Sequence, residues 1–229
     1  MAERAAAGSG AAEATPPAET PSVLGRLQLG LEDLYRVRTD LAVDAFVIDH
    51  QQRQQAGLTR APREQLLLRQ SGDDLDLALF VDPATVANLE RNDPSHGLHE
   101  GNFSDFCLAV EGVSHFVYVA LCAAGDRRVS ALELELQAEV DKFACCVLLS
   151  RRGADLRRRL YSQVQFDANL DDDERARYRT ANDQANRYAA ALERRFIATD
   201  RLTQMLGDLR LFYRLDLPAK LDHIGRASG

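Results

Sequence analysis

The chain has 229 residues, 28 Lys+Arg against 35 Asp+Glu, a formal net charge of −7, and 45% hydrophobic with 28% charged residues. Those values describe a globular protein of one or at most two domains, long enough to bury roughly 70% of its unfolded surface. Such a core needs no disulfide or structural metal, and an acidic chain is a poor match to a dedicated nucleic-acid binder.

The net charge hides an asymmetry. Residues 151–229 hold 16 basic and 12 acidic groups, a net of +4, which leaves residues 1–150 at −11. Only Lys142 and Lys220 are lysines, and the other 26 basic residues are arginines. That usage points to a GC-rich, bacterial coding bias and weakens arginine abundance as a sign of phosphate binding.

Residues 1–22 are mostly Ala, Gly, Pro, Thr and Glu, which predicts a disordered tail. They lack an apolar stretch and carry Glu3, Glu13 and Glu19, so neither a secretory signal nor a transit peptide is expected. Residues 23–229 then read as one globular domain, with an acidic α+β part at 23–101 and a helical part at 102–229. A short helix is expected over 24–37, and the alternation at 42–49 reads as a strand. The polar run 51–55 and the breaker 57–62 read as loop. Two apolar runs, 64–70 and 75–81, flank Ser71-Gly72-Asp73-Asp74, the composition of a hairpin turn. Asp82-Pro83 is an N-cap followed by proline at the first helical position, opening a helix through Glu90. Helices are expected near 103–123, 130–151, 155–166, 172–197 and 200–214, with a short one after Pro218. The longest nearly unbroken apolar run, 116–124, is nine residues where about 20 are needed to cross a bilayer, so no membrane span is expected. The fold class is α+β, predominantly helical: a small antiparallel sheet of two or three strands on a bundle of about six helices.

The two central helices are apolar on both sides, the pattern of buried helices. The first interrupts this with Glu111 and His115, and the second carries two polar seams, Glu133/Gln137/Asp141 and Glu135/Glu139/Lys142. The short connection at 124–128 implies an antiparallel hairpin. Counting outward from Asp126 sets Glu111 near Asp141 and His115 near Gln137, with Glu139 within a turn. Glu111, His115, Asp141 and Glu139 are therefore the candidate catalytic residues, suited to a general acid–base pair or a divalent metal. His96 and His99, in the loop before that helix, join Glu111 and His115 as candidate metal ligands. Arg151, Arg152, Arg157, Arg158 and Arg159 form a compact basic patch able to meet phosphates, although pairing with the acidic run 171–174 is its plainer use. Cys107, Cys122, Cys145 and Cys146 lack metal or redox spacing and read as small core hydrophobes.

Three functions follow in order. The first is a cytosolic, non-catalytic interaction or regulatory protein, with a protein partner or self-association favoured over nucleic acid. The second is a metal- or carboxylate-dependent enzyme using the Glu/His/Asp cluster. The third is a weak nucleic-acid binder through the arginine run.

Overall fold

In a computed structural model, the structure describes residues 21–55, 62–72, 74–150, 154–162 and 170–228. Most of the expected tail lies outside these residues. Ser22 does not: its hydroxyl accepts from the Gly25 amide at 3.1 Å and so caps helix α1 (Val23–Tyr35), which buries Leu24, Leu31 and Tyr35.

The segment expected as a strand at 42–49 divides into a 3₁₀ turn, Val43–Ala45, and a two-residue strand β1, Val47–Ile48. The hairpin forms as its composition predicts, from β2 (Glu64–Ser71) and β3 (Asp74–Val81), with Leu66 opposite Leu79 and Ser71 opposite Asp74. Gly72 supplies the φ of +63° that the turn requires. β1 joins the other edge of β3 in parallel, with Val47 opposite Leu79, giving the order β1-β3-β2. The sheet is therefore mixed rather than purely antiparallel. Two residues are too few to show alternation, so the third strand left no pattern to read.

The polar run expected as loop is helical over His50–Gln55 (α2). Only one of its residues faces inward. Arg53 is 7% exposed, its guanidinium lies 4.0 Å from the Phe80 ring centroid, and it donates to the Pro62 carbonyl at 2.8 Å. A cation over an aromatic face seals the second side of β3 without an apolar stripe, which is why the helix reads as loop. The breaker expected at 57–62 lies outside the described residues except for Pro62.

The rest is helical: α3 (Pro83–Arg91), α4 (Phe103–Ala124), α5 (Ala131–Ser150), α6 (Ala154–Tyr161), α7 (Asp172–Leu192), α8 (Leu202–Tyr213) and α9 (Leu217–Ser228). A π turn, Glu193–Ile197, continues α7. The fold is thus α+β and predominantly helical, with nine α-helices among the described residues, the eight expected from the sequence together with α2. Asp82 caps α3 with proline behind it, and Asp171 with Glu174 makes a capping box on α7.

Helix α4 is the axis. It packs on α1, α3, α5 and both strands of the hairpin, while α5 lies between α4 and α7. By length and composition α4 could cross a membrane, a property its longest unbroken apolar run does not convey. Its apolar character is used inside the fold, where Phe106, Val110, Val113, Phe116 and Val117 are at most 1% exposed.

Arg53→Ala removes the lid over Phe80 and is expected to lower stability by about 1–2 kcal/mol, read as a lower denaturation midpoint. An unchanged midpoint would show that α2 contributes no seal.

Candidate buried acid–base site

Helix α5 has no fully solvated face, so each of its polar seams must be matched from a neighbouring element. The seam Glu133/Gln137/Asp141 is matched completely. Asp141 accepts from the Tyr35 hydroxyl, from Ser114 at 2.5 Å and from Gln137 at 2.7 Å. Lys220, fully buried, donates to the Gln137 side-chain oxygen, and Glu133 accepts from Tyr118 at 2.7 Å and Arg127 at 2.6 Å. Burial raises the Asp141 carboxyl to about 6 against these donors, and burial lowers the Lys220 ammonium to about 7.

The other seam is different. Glu135, Glu139 and Lys142 meet Glu111 and His115 of α4 and Glu64 of β2. Lys142 bridges Glu111 at 2.8 Å and Glu139 at 2.9 Å. The His115 ring lies between two glutamates, with Nδ1 3.7 Å from Glu64 and Nε2 3.7 Å from Glu135. At that length these are charge contacts rather than formed hydrogen bonds. Three buried atoms of the cluster, Glu64 Oε1, His115 Nε2 and Glu139 Oε2, have no hydrogen-bond partner in the structure. Arg177 Nε on α7 is also unpartnered, and its charge acts on Glu135.

Electrostatics separate the roles of these groups. Burial opposes a charge on His115, but Glu64, Glu135 and Glu111 outweigh it and raise the imidazole to about 9. Burial raises Glu135 to about 7; His115 pulls it back, and the charges of Glu111 and Glu64 push it further up. Burial also pushes Glu111 up, but Lys142 and His115 bring it below the usual carboxylate range, while Glu64 and Glu139 are raised chiefly by burial. At neutral pH the site therefore holds a charged imidazole and a charged ammonium beside one carboxyl poised to gain or lose a proton.

A single glycine allows β2 to reach the helix. A Cβ on Gly112 would lie 2.8 Å from Glu64 Cγ and 3.2 Å from Leu79 Cδ1. A mid-helix glycine costs about 1 kcal/mol relative to alanine, and here it gives Glu64 its approach to His115.

The candidates named from spacing are only partly brought together. Glu111 and His115 share the cluster with Glu139, which joins through Lys142. The outward count along the hairpin holds to within a residue or two, but it pairs Glu111 with Lys142 and His115 with Glu135. Asp141 lies on the opposite seam, because residues two apart on a helix point about 200° apart. His96 and His99 are exposed, and the His99 Nδ1 accepts from the Gly101 amide at 3.1 Å. Among the described residues, no group of three or more His, Cys, Asp or Glu side chains is arranged to hold a metal ion.

Arg151 and Arg152 lie outside the described residues. Arg157 pairs with Glu193 at 2.7 Å and with Asn186 at 2.9 Å. Arg159 pairs with Glu100 at 2.8 Å and stacks 3.7 Å from the Phe103 centroid, and Arg158 lies 3.9 Å from Asp155. These partners replace the acidic run 171–174, whose first residue is used to cap α7.

Glu64, Glu135 and Lys142 were absent from the spacing-derived candidate set. Lysine usage was the available signal, since the chain's two lysines both end in buried polar clusters, with a Lys142 side chain 12% exposed and Lys220 at 0%.

Gly112→Ala is expected to destabilise the protein by about 1–2 kcal/mol in chemical denaturation, because Glu64 or Leu79 must move. A gain of about 1 kcal/mol, normal for a free mid-helix glycine, would contradict the close approach. Comparison with family models, with curated proteins and with solved structures finds no match for this chain.

Proposed function

We propose that the protein is a carboxylate-dependent enzyme whose proton-transfer site is the Glu64–His115–Glu135 cluster. Glu135 is the general acid–base group. His115 stays cationic and offers Nε2–H to charge that develops on a substrate. Glu64 holds the imidazole from its other side, and Lys142 balances Glu111 and Glu139. The observation that carries this reading is the concentration of unpartnered buried polar atoms at this seam, set against a fully matched seam on the other side of the same helix. Burying an ion costs several kcal/mol, and a purely structural cluster has every reason to satisfy its atoms. The donor geometry favours the acid–base half of the expected enzyme over the metal half.

The non-catalytic interaction reading is supported by a separate feature. Leu148 and Leu149 at the end of α5 are each 40% exposed and border an apolar cleft of about 260 Å3 shared with Leu27 and Leu31 of α1. Self-association there predicts a dimer by light scattering that Leu148→Glu abolishes; a wild-type monomer would remove that form of the reading.

The enzymatic reading is tested in deuterated water with a pool of cell metabolites, followed by mass spectrometry. Wild-type protein is expected to convert or deuterate at least one species, and Glu135→Gln to lose that change. Identical profiles for the two proteins would overturn the proposal.

Stability should also reflect the proton on Glu135. Its folded pKa of about 7 lies above the ordinary 4.5, so the folded state keeps a proton that the unfolded state has lost between those values. Stability from this group therefore falls as pH rises through that window and levels off above it. Glu135→Gln should flatten this fall, measured by denaturation at pH 5 and pH 8. A pH profile parallel to wild type would place the Glu135 carboxyl in its ordinary range.

A further inference from the structure

Cys107, Cys122, Cys145 and Cys146 have no redox spacing along the sequence, but the fold brings two of them together. The antiparallel hairpin of α4 and α5 sets the pairing. Glu111 meets Lys142 at 2.8 Å, and further along the same interface Ser114 meets Asp141 at 2.5 Å and Tyr118 meets Glu133 at 2.7 Å. In such a pair, one turn back on the first helix faces one turn forward on the second. Cys107 stands four residues before Glu111 and Cys146 four residues after Lys142, so the two thiols face each other one turn beyond that ion pair. The Cys146 thiol donates to the Cys107 sulfur, and that hydrogen bond, together with burial, holds the Cys146 thiol well above its ordinary range.

The other two cysteines are placed differently. Cys122 lies fifteen residues beyond Cys107 on α4, about 22 Å along the helix axis. Its sulfur accepts from Arg127 at 2.9 Å. Cys145 lines the apolar cleft beside Leu148 and Leu149. Successive helical residues point about 100° apart, so Cys145 and Cys146 do not meet each other within α5.

Exposure separates the facing pair into two roles. Cys107 is partly buried, whereas Cys146 is 0% exposed. A small oxidant from solvent therefore reaches Cys107 first and finds Cys146 already in contact behind it. Thiols in hydrogen-bond contact need only side-chain rotation and a small approach of the helices to reach bonding distance. The loop so closed is the α4–α5 hairpin itself, and no other element lies within it.

We infer that Cys107 and Cys146 form a reversible intramolecular disulfide, with a hydroperoxide as the oxidant. With hydrogen peroxide, the Cys107 sulfur attacks the O–O bond and keeps one oxygen as a sulfenic acid, while the other oxygen leaves with the thiol proton as water. The Cys146 sulfur then displaces the sulfenic oxygen, which takes the Cys146 proton and leaves as a second water. Two thiols and one peroxide become one disulfide and two waters, two electrons passing from sulfur to oxygen. A thiol reductant reverses the bridge by exchange through a mixed disulfide. The bond ties α4 to α5 one turn from the Glu111–Lys142 pair.

The test treats the reduced full chain with excess hydrogen peroxide, alkylates the remaining thiols without reduction and maps the digest by mass spectrometry. A Cys107–Cys146 bridge within one chain is expected, with Cys122 and Cys145 alkylated and all four thiols restored by dithiothreitol. Cys146→Ala should abolish the bridge and leave Cys107 to oxidise onward to sulfinic acid, whereas Cys145→Ala should keep the bridge. Four free thiols in the treated wild type, oxidation of Cys107 without a bridge, or a bridge made chiefly to Cys145, to Cys122 or between two chains would overturn the inference. Loss of the bridge in Cys145→Ala would overturn it as well.

Discussion

Burial of a charged helix is the constraint on which the rest of the structure depends. α5 lies between α4 and α7, yet it brings Glu133, Glu135, Gln137, Glu139 and Asp141 into the interior. Each polar group taken from water must find a partner or remain expensive. The partners come from far along the chain: Tyr35 from α1, Ser114 and Tyr118 from α4, Lys220 from α9 and Glu64 from β2. The Tyr35 ring stacks 3.8 Å from Tyr213, so one aromatic pair ties the first helix, the eighth and the Asp141 network together. Satisfying α5 is therefore also what holds α1 and α9 against the central hairpin.

The two seams of α5 differ in what they leave over. One closes on itself, with three donors on Asp141 and two on Glu133. The other keeps unpartnered atoms on a histidine and two glutamates. Closed networks rigidify a core, while open ones with displaced pKa values are the arrangement expected where protons move. The acidic front and basic back of the sequence also acquire a more limited meaning. Arg159 reaches Glu100, and Arg210 and Arg214 reach the carbonyls at the end of α1, so part of the charge polarity is consumed within the chain.

How much of this was legible follows from distance along the sequence. The long helices, the hairpin, the Asp82-Pro83 start and both polar seams are local patterns, and each appears in the structure. Which seam meets His115 is a matter of helix phase: the count from Asp126 brought the right stretches together and put Asp141 on the wrong side. Glu64 carries no local signal, because its role depends on β2 crossing α4 at Gly112, nearly fifty residues later. α2 was hidden because its packing rests on Arg53 over Phe80 rather than on an apolar stripe, and β1 because two residues cannot show a period. The scarcity of lysine is legible in the sequence, but which buried cluster each lysine enters is a property only the fold displays.

The account's central claim is that His115 is held as a cation inside the protein by glutamates from three elements. Its most direct test is the pH titration of the His115 ring followed by NMR in the intact chain. A midpoint of about 9 that falls in Glu64→Gln is the result the account predicts. A midpoint at or below the ordinary 6.5, unmoved by Glu64→Gln, would contradict it.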